Sequence, residues 1–290
     1  MIMNATKWLE KNTKSLAGKT VAISGSTGGL GRELCFHLCA LSASLVLVDR
    51  NLKKSQALTD ELKAKYPDAK ISHVTADMTD MASVKNAADE LIKIGIDYLI
   101  LNAGAYSIPR CTCDTGYDNV YQINFISPYY LARRLLPMIK ERGGKIIAVG
   151  SIAHNYSKID TSDIDFATRK KASLVYGNAK RYLTYSLFDL AEDNSIAVAH
   201  PGITFTGITA HYPKLIFALI KHPMKIIFMP PKKASLSVLY AMFNECRANE
   251  WVGPSLFDIW GMPKKKPLNT AKPAEAEKIV KIAEEIYNKI

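Results

Sequence analysis

Tyr176 and Lys180 stand four residues apart in Val175-Tyr-Gly-Asn-Ala-Lys180, inside a stretch patterned as a helix. That spacing puts both side chains on one helical face. An ammonium so placed can hold a phenolic proton loosely enough for transfer, so the tyrosine can serve as acid or base.

Six further groups of residues could act beside this pair. Ser24-Gly-Ser-Thr-Gly-Gly-Leu-Gly31 spaces its glycines as G-x-x-x-G-x-G through Gly25, Gly29 and Gly31. Between a strand and a helix, such glycines let the backbone turn tightly and approach a pyrophosphate, whose charge the helix amino terminus favours; Ser26, Thr27 and Leu30 belong to the same turn. A cluster of loop glycines alone would mean little, and it is the placement that gives it weight. Asp49 closes the second apolar run, where a carboxylate can accept from an adenosine ribose and repel a 2′-phosphate, which argues for NAD. Arg50 follows and could instead pair with a 2′-phosphate. Asp77 and Met78 follow the third run, where Asp77 could meet an adenine amino group. Asn102, Ala103 and Gly104 follow the fourth, small enough at the last two positions for a flat ring or ribose to lie against the backbone. Ser151 ends the fifth, where its hydroxyl could donate to a substrate oxygen. Asn124 lies in a helical stretch that its propensity disfavours, and is read either as an exposed helical residue or as one that bends the helix and binds water.

The elements that must carry these groups follow from periodicity. Short apolar runs at 20–24, 45–48, 71–76, 98–101 and 145–149 read as strands, with 196–199 and 256–259 as candidates for a sixth and seventh. Helical patterns occupy 30–41, 52–66, 81–94, 117–142 and 172–193, with Pro128 and Pro137 expected to bend or break the fourth. Strands and helices alternating in this way indicate a Rossmann-type, doubly wound α/β fold: a seven-stranded parallel sheet with helices on both faces and ligands beyond the strands' carboxyl ends. At 290 residues, one dinucleotide-binding catalytic domain over 1–290 is favoured.

Composition adds bounds. Apolar residues at 48% and charged residues at 22% describe an ordinary globular chain. The net charge of +11 would suit nucleic acid, anionic lipid or an anionic cofactor. Its lysines and arginines are scattered, however, and no nucleic-acid-binding signature accompanies them. Five cysteines fit no zinc pattern and read as reduced thiols. The first 19 residues lack the apolar run of a signal peptide, so the protein is read as cytoplasmic. The stretch 213–230 is apolar but interrupted by charge and proline, which suits a cover over an apolar pocket, within a lid at 206–233, better than contact with a membrane surface.

Together these residues resemble the short-chain dehydrogenase/reductase family, from about 19 to at least 202. Gly25, Gly29 and Gly31 match its cofactor loop, with Ser24 where threonine is usual, and Asn102-Ala-Gly104 matches its Asn-Asn-Ala-Gly motif with Leu101 in place of the first asparagine. Asn124, Ser151, Tyr176 and Lys180 match its four catalytic positions in order, and Pro201, Gly202, Thr204 and Thr206 resemble the segment that touches the nicotinamide carboxamide. The wide gap between Ser151 and Tyr176, together with His154 and the Trp251–Trp260 ending, resembles the retinol-dehydrogenase-like branch.

The resemblance implies an oxidoreductase that transfers hydride between a nicotinamide dinucleotide and an alcohol or carbonyl of a lipophilic small molecule. Tyr176 would be general acid/base, with its pKa, near 10 when unperturbed, lowered by Lys180 and the oxidised nicotinamide. It also implies Lys180 on the ribose, Ser151 on the substrate oxygen, Asn124 holding a water, and a homodimer or homotetramer paired through the two long helices. NAD is preferred, with NADP the alternative. A nucleotide-sensing protein without turnover is the competing reading, disfavoured by the intact catalytic set.

Overall fold

Val21 and Ile23 of the first strand pack into one apolar cluster and Ala22 into another, because helices lie against both faces of the sheet. A strand buried on both sides reads as an unbroken apolar run. The computed structural model describes residues 5–191, 193–204 and 228–290. Its single sheet comprises β1 (Thr20–Ser24), β2 (Ser44–Asp49), β3 (Ile71–Thr75), β4 (Tyr98–Leu101), β5 (Lys145–Val149), β6 (Ile196–Ala199), β7 (Glu250–Leu256) and β8 (Trp260–Pro267), ordered β3-β2-β1-β4-β5-β6-β7-β8.

The first seven strands are parallel, and β8 runs antiparallel to β7. The expected seven-stranded parallel sheet is therefore an eight-stranded, mostly parallel one. The expected strand at 256–259 falls on the tip of the β7–β8 hairpin, where Phe257 and Asp258 have φ of +52° and +57°. These are turn conformations. The β8 sequence, with Pro263, Pro267 and Lys264 to Lys266, suits only the sheet edge, where lost donors and charge are tolerated.

In chain order the helices are α1 (Ala5–Asn12), α2 (Gly29–Ala40), α3 (Leu52–Lys65), α4 (Met81–Ile94), α5 (Ser127–Glu141), α6 (Ala172–Leu190), α7 (Pro231–Phe243) and α8 (Pro273–Lys289). α1, α2, α3 and α7 cover one face of the sheet, and α4, α5, α6 and α8 the other. Leu34, Leu38 and Leu62 are fully buried on the first face, each contributing about 1.5–3 kcal/mol by leaving water.

The helix expected at 117–142 begins later and is not uniform. Asp118 caps it, accepting from the Val120 and Tyr121 amides at 2.9 and 3.3 Å. One turn (Asn119–Tyr121) leads into a π turn (Gln122–Ile126), in which the Ser127 amide reaches back to the Gln122 carbonyl, and then into α5. Pro128 has no N–H to offer the Asn124 carbonyl, which removes one rung of the regular ladder just there.

α8 lies on both long helices. Ile279, Ala283 and Ile286 are buried in the shared cluster, and Glu284 pairs with Arg133 of α5 while Glu275 pairs with Arg181 of α6. Among the described residues no helix is long and apolar enough to cross a membrane. Most of the expected lid, residues 206–227, lies outside the described residues; its last positions, 231–233, open α7.

Candidate active site

Because β1 lies between β2 and β4, the winding reverses there and leaves a crevice beyond the strands' carboxyl ends. The loop after β1 is shaped for close approach. Gly25 has φ +67°, and a Cβ on it would lie 2.9 Å from the Ala103 Cα. A Cβ on Gly31 would meet the Gly25 carbonyl oxygen at 2.3 Å, so α2 packs against the loop only because that position is bare. α2 starts at Gly29 behind Gly28, which offers no side-chain cap. The first-turn amides are thereby left for an anion.

Several expected cofactor residues brace this loop. The Ser24 hydroxyl accepts from the amides of Asn102 at 3.1 Å and Ala103 at 3.0 Å, and Asn102 Nδ2 donates to the carbonyls of Ser24 (3.0 Å) and Gly25 (2.8 Å). Leu30 and Ser26 are buried, so those positions offer a ligand backbone, while Thr27 is half-buried. The Ser26 hydroxyl donates to Asp49, and Ser55 donates to the same carboxylate oxygen at 2.9 Å.

Arg50, next in sequence, is exposed. Asp77 accepts from the Thr79 amide and hydroxyl at 2.9 and 2.7 Å, holding its own turn. The Met78 side chain is buried, and its carbonyl accepts from the Ser127 hydroxyl at 2.7 Å.

The proposed catalytic side chains meet between β5 and α6. The Ser151 hydroxyl accepts from the Ala153 amide at 3.2 Å and lies near enough to the Tyr176 phenol to act on its proton affinity. Burial pushes the Tyr176 phenol up to about 12, with the Ser151 side chain opposing the shift and Tyr106 adding to it. The Tyr106 ring stands edge-on to Tyr176 at 5.3 Å. Lys180, nearly inaccessible, donates from Nζ to the Val149 carbonyl at 2.8 Å and lies 5.7 Å from the Tyr176 ring centre. Burial brings its pKa down to about 8. The ammonium sits over the face of the Tyr176 ring.

Asn124 is fully buried in the π turn. Its Nδ2 donates to the carbonyls of Ala105 (2.7 Å) and Val120 (2.8 Å), and its Oδ1 accepts from the Ala105 amide at 3.3 Å. The expectation of an exposed helical residue gives way to the bent-helix reading. From the π turn the side chain spans to the loop after β4. A Cβ on Gly104 would lie 2.8 Å from Asn124 Oδ1 and 3.8 Å from Lys180 Nζ, so this glycine closes the floor of the site.

Beyond β6, Pro201 leads into Gly202 at φ +84°, where a Cβ would meet the Ile259 carbonyl oxygen at 2.8 Å. Thr204 forms a parallel bridge with Met229, and Thr206 lies outside the described residues. Three contributors were not legible in the sequence. Tyr106 and Ser55 carry no spacing signal, and His200 is hidden inside a strand end, though its ring stacks on Trp251 at 5.2 Å.

A glycine-lined crevice with open helix amides, a carboxylate at the β2 end and bare backbone at Gly104 fits a dinucleotide, with Tyr176 at its far end. Residues 19–163 match the short chain dehydrogenase family. An uncharacterized oxidoreductase of Schizosaccharomyces pombe is 27% identical over 265 residues, covering 82% of this chain and 76% of the relative. Human retinol dehydrogenase 13 is 26% identical over 209 residues, covering 68% of this chain and 62% of its own length, and mouse polyprenol dehydrogenase is 22% identical, covering 90% and 81%. Among solved structures, an uncharacterized protein from Mycobacterium paratuberculosis superposes with TM-score 0.76 at 20% identity over 99% of this chain and 98% of that one. L-sorbose reductase from Gluconobacter frateurii, complexed with NADPH and L-sorbose, gives 0.62 at 20% over 80% and 92%. The match over half the chain, on a fold and crevice of this shape, makes the protein a member of the short chain dehydrogenase family, retinol-dehydrogenase-like, and a nicotinamide-dependent oxidoreductase.

Proposed function

We propose that this enzyme interconverts an alcohol and a carbonyl on a lipophilic small molecule, with NAD as its dinucleotide. The observation that carries the reading is the meeting of Ser151, Tyr176 and Lys180 at the end of the crevice, although 25 residues separate the serine from the tyrosine.

The bound nicotinamide supplies the hydride donor or acceptor. Tyr176 moves the proton to or from the substrate oxygen, and Ser151, close enough to act on the phenol, orients that oxygen. Lys180 contributes positive charge over the ring, favouring the phenolate that burial alone disfavours. Asn124 ties the loop at Ala105 to the π turn before α5, and the bare Gly104 leaves room for a flat ring.

Lipophilicity is supported by the surroundings of Tyr176, which stands against the Tyr106 ring and packs on the apolar cluster of Val120, Phe166 and Val175. Two relatives are named for retinol and polyprenol. NAD is supported by Asp49 at the β2 end, where its charge opposes a 2′-phosphate. NADPH in the sorbose reductase keeps NADP as the alternative.

Gly25, Ser26, Thr27, Gly29, Leu30 and Gly31 would hold the pyrophosphate through backbone, Asp77 and Met78 the adenine end, and Asn102 to Gly104 and Pro201 to Thr206 the nicotinamide end. The 1–290 chain is read as one catalytic domain. The stretch 206–233, most of it outside the described residues, is read as a cover over the substrate. Pairing into dimers through α5 and α6 would have to accommodate α8, which packs on both.

The test is Y176F, assayed by nicotinamide absorbance across 2-alkanols and 2-alkanones of increasing length. A fall of about 10²–10⁴-fold in kcat is expected, with dinucleotide affinity retained. Undiminished turnover refutes the assigned role, and binding without turnover across the whole panel favours the sensor.

A further inference from the structure

Arg181 follows Lys180 on α6, yet it points away from the crevice and is 3% exposed. Its guanidinium makes four hydrogen bonds. Nε and Nη2 grip Glu275 of α8 at 2.8 and 2.7 Å, Nη2 also donates to the Thr270 carbonyl at 2.9 Å, and Nη1 donates to the His154 carbonyl at 3.1 Å. A planar fork can meet all of these at once, which an ammonium cannot. His154, fully buried, carries the contact onward: its Nδ1 lies 2.6 Å from the Ser151 carbonyl. Since that carbonyl can only accept, Nδ1 is the donor and the imidazole is the Nδ1–H tautomer. Trp251 holds the ring from the side, edge-on at 5.2 Å.

We propose that Glu275, Arg181 and His154 form a buttress that positions the Ser151 backbone, so that the docking of α8 sets the aim of the catalytic hydroxyl. None of the three touches substrate or dinucleotide; they are positioning residues. Every link is a hydrogen bond between buried or half-buried groups, and Glu275 also accepts from the Ile159 amide at 3.3 Å, which ties the end of the Ser151 segment to the same carboxylate. The pyrophosphate loop, on the far side of β1, shares no link of this chain. The inference rests on the catalytic reading above.

The experiment compares H154F, H154N and E275Q with the parent in the full chain. H154F keeps an aromatic ring against Trp251 and removes the donor, whereas in H154N the side-chain amide nitrogen would sit near the place of Nδ1 and restore it. Expected for H154F is a fall in kcat on the order of 10- to 100-fold with dinucleotide Kd within about twofold of the parent; H154N recovers most of the loss, and E275Q shows the same split more weakly. With tyrosine labelled by carbon-13 at Cζ, the resonance missing from Y176F reports how the Ser151 side chain acts on the phenol without any substrate, and it should shift in H154F and return in H154N.

An unmoved resonance, a kcat in H154F within about twofold of the parent, or a parallel loss of dinucleotide affinity overturns the proposal. Should H154F fail to fold, E275Q decides by the same resonance and the same split. Full activity in Y176F would instead sink the catalytic reading, so the two failures are told apart.

Discussion

The Ser26 hydroxyl donates to the Asp49 carboxylate, so the residue placed to choose between dinucleotides also anchors the loop that receives their phosphates. Ser55 donates to the same oxygen. Selectivity and loop geometry are therefore separable only by a substitution that keeps an acceptor. D49N does so while removing the charge, and it is expected to raise the NADP-to-NAD affinity ratio by about tenfold, or about 1.4 kcal/mol, with little change in stability. Isothermal titration of both dinucleotides checks this. A parent that binds NADP more tightly than NAD would contradict the assignment of Asp49.

Gly31→Ala addresses the packing of α2 on the loop. Its Cβ would lie 2.3 Å from the Gly25 carbonyl oxygen and 2.9 Å from the bonded Asn102 amide nitrogen, so the helix itself must move. A stability loss of about 1–3 kcal/mol is expected, with weakened dinucleotide binding. At Gly28 the added Cβ meets only the Gly25 oxygen at 3.4 Å, so G28A should keep the parent's stability. Denaturant midpoints for the two variants measure the difference.

His200 makes stability sensitive to mild acid. Burial pushes its pKa down to about 4, against about 6.5 in an unfolded chain. Between these values the unfolded state binds the extra proton, so stability falls as pH drops from about 6.5 toward 4. His154 is lowered by burial too and acts in the same direction.

The carboxyls of Asp97 and Glu275 sit below their usual range. Burial would raise both, and bonds from Thr20 and Lys19 in the one case and Arg181 and Ile159 in the other outweigh it. Their stabilisation is present above about pH 4 and fades only below it. A denaturant series from pH 7 to 4 should therefore show an early decline that H200F flattens; an unchanged decline in H200F would assign it elsewhere.

How much of this could be read from the chain depends on the range of the interaction. β1 to β6 and the helices from α2 to α4 were legible because burial on fixed faces imprints a local period. β8 was not, because an edge strand tolerates the prolines and lysines that elsewhere break strands. The π turn at Asn124 was half legible: propensity marked the residue, but only the approach of Ala105 shows what the side chain does.

By itself the sequence determined which residues end which strands, and so put Gly25, Asp49, Asn102, Ser151 and the Tyr176–Lys180 pair at one edge of a doubly wound sheet. Tertiary structure alone decided their partners: Ser26 with Asp49, Lys180 with the Val149 carbonyl, and Arg181 with a glutamate 94 residues away. Periodicity is set by each residue's near neighbours, whereas a hydrogen bond across the core exists only once separate segments have packed and excluded the water that would otherwise satisfy both ends.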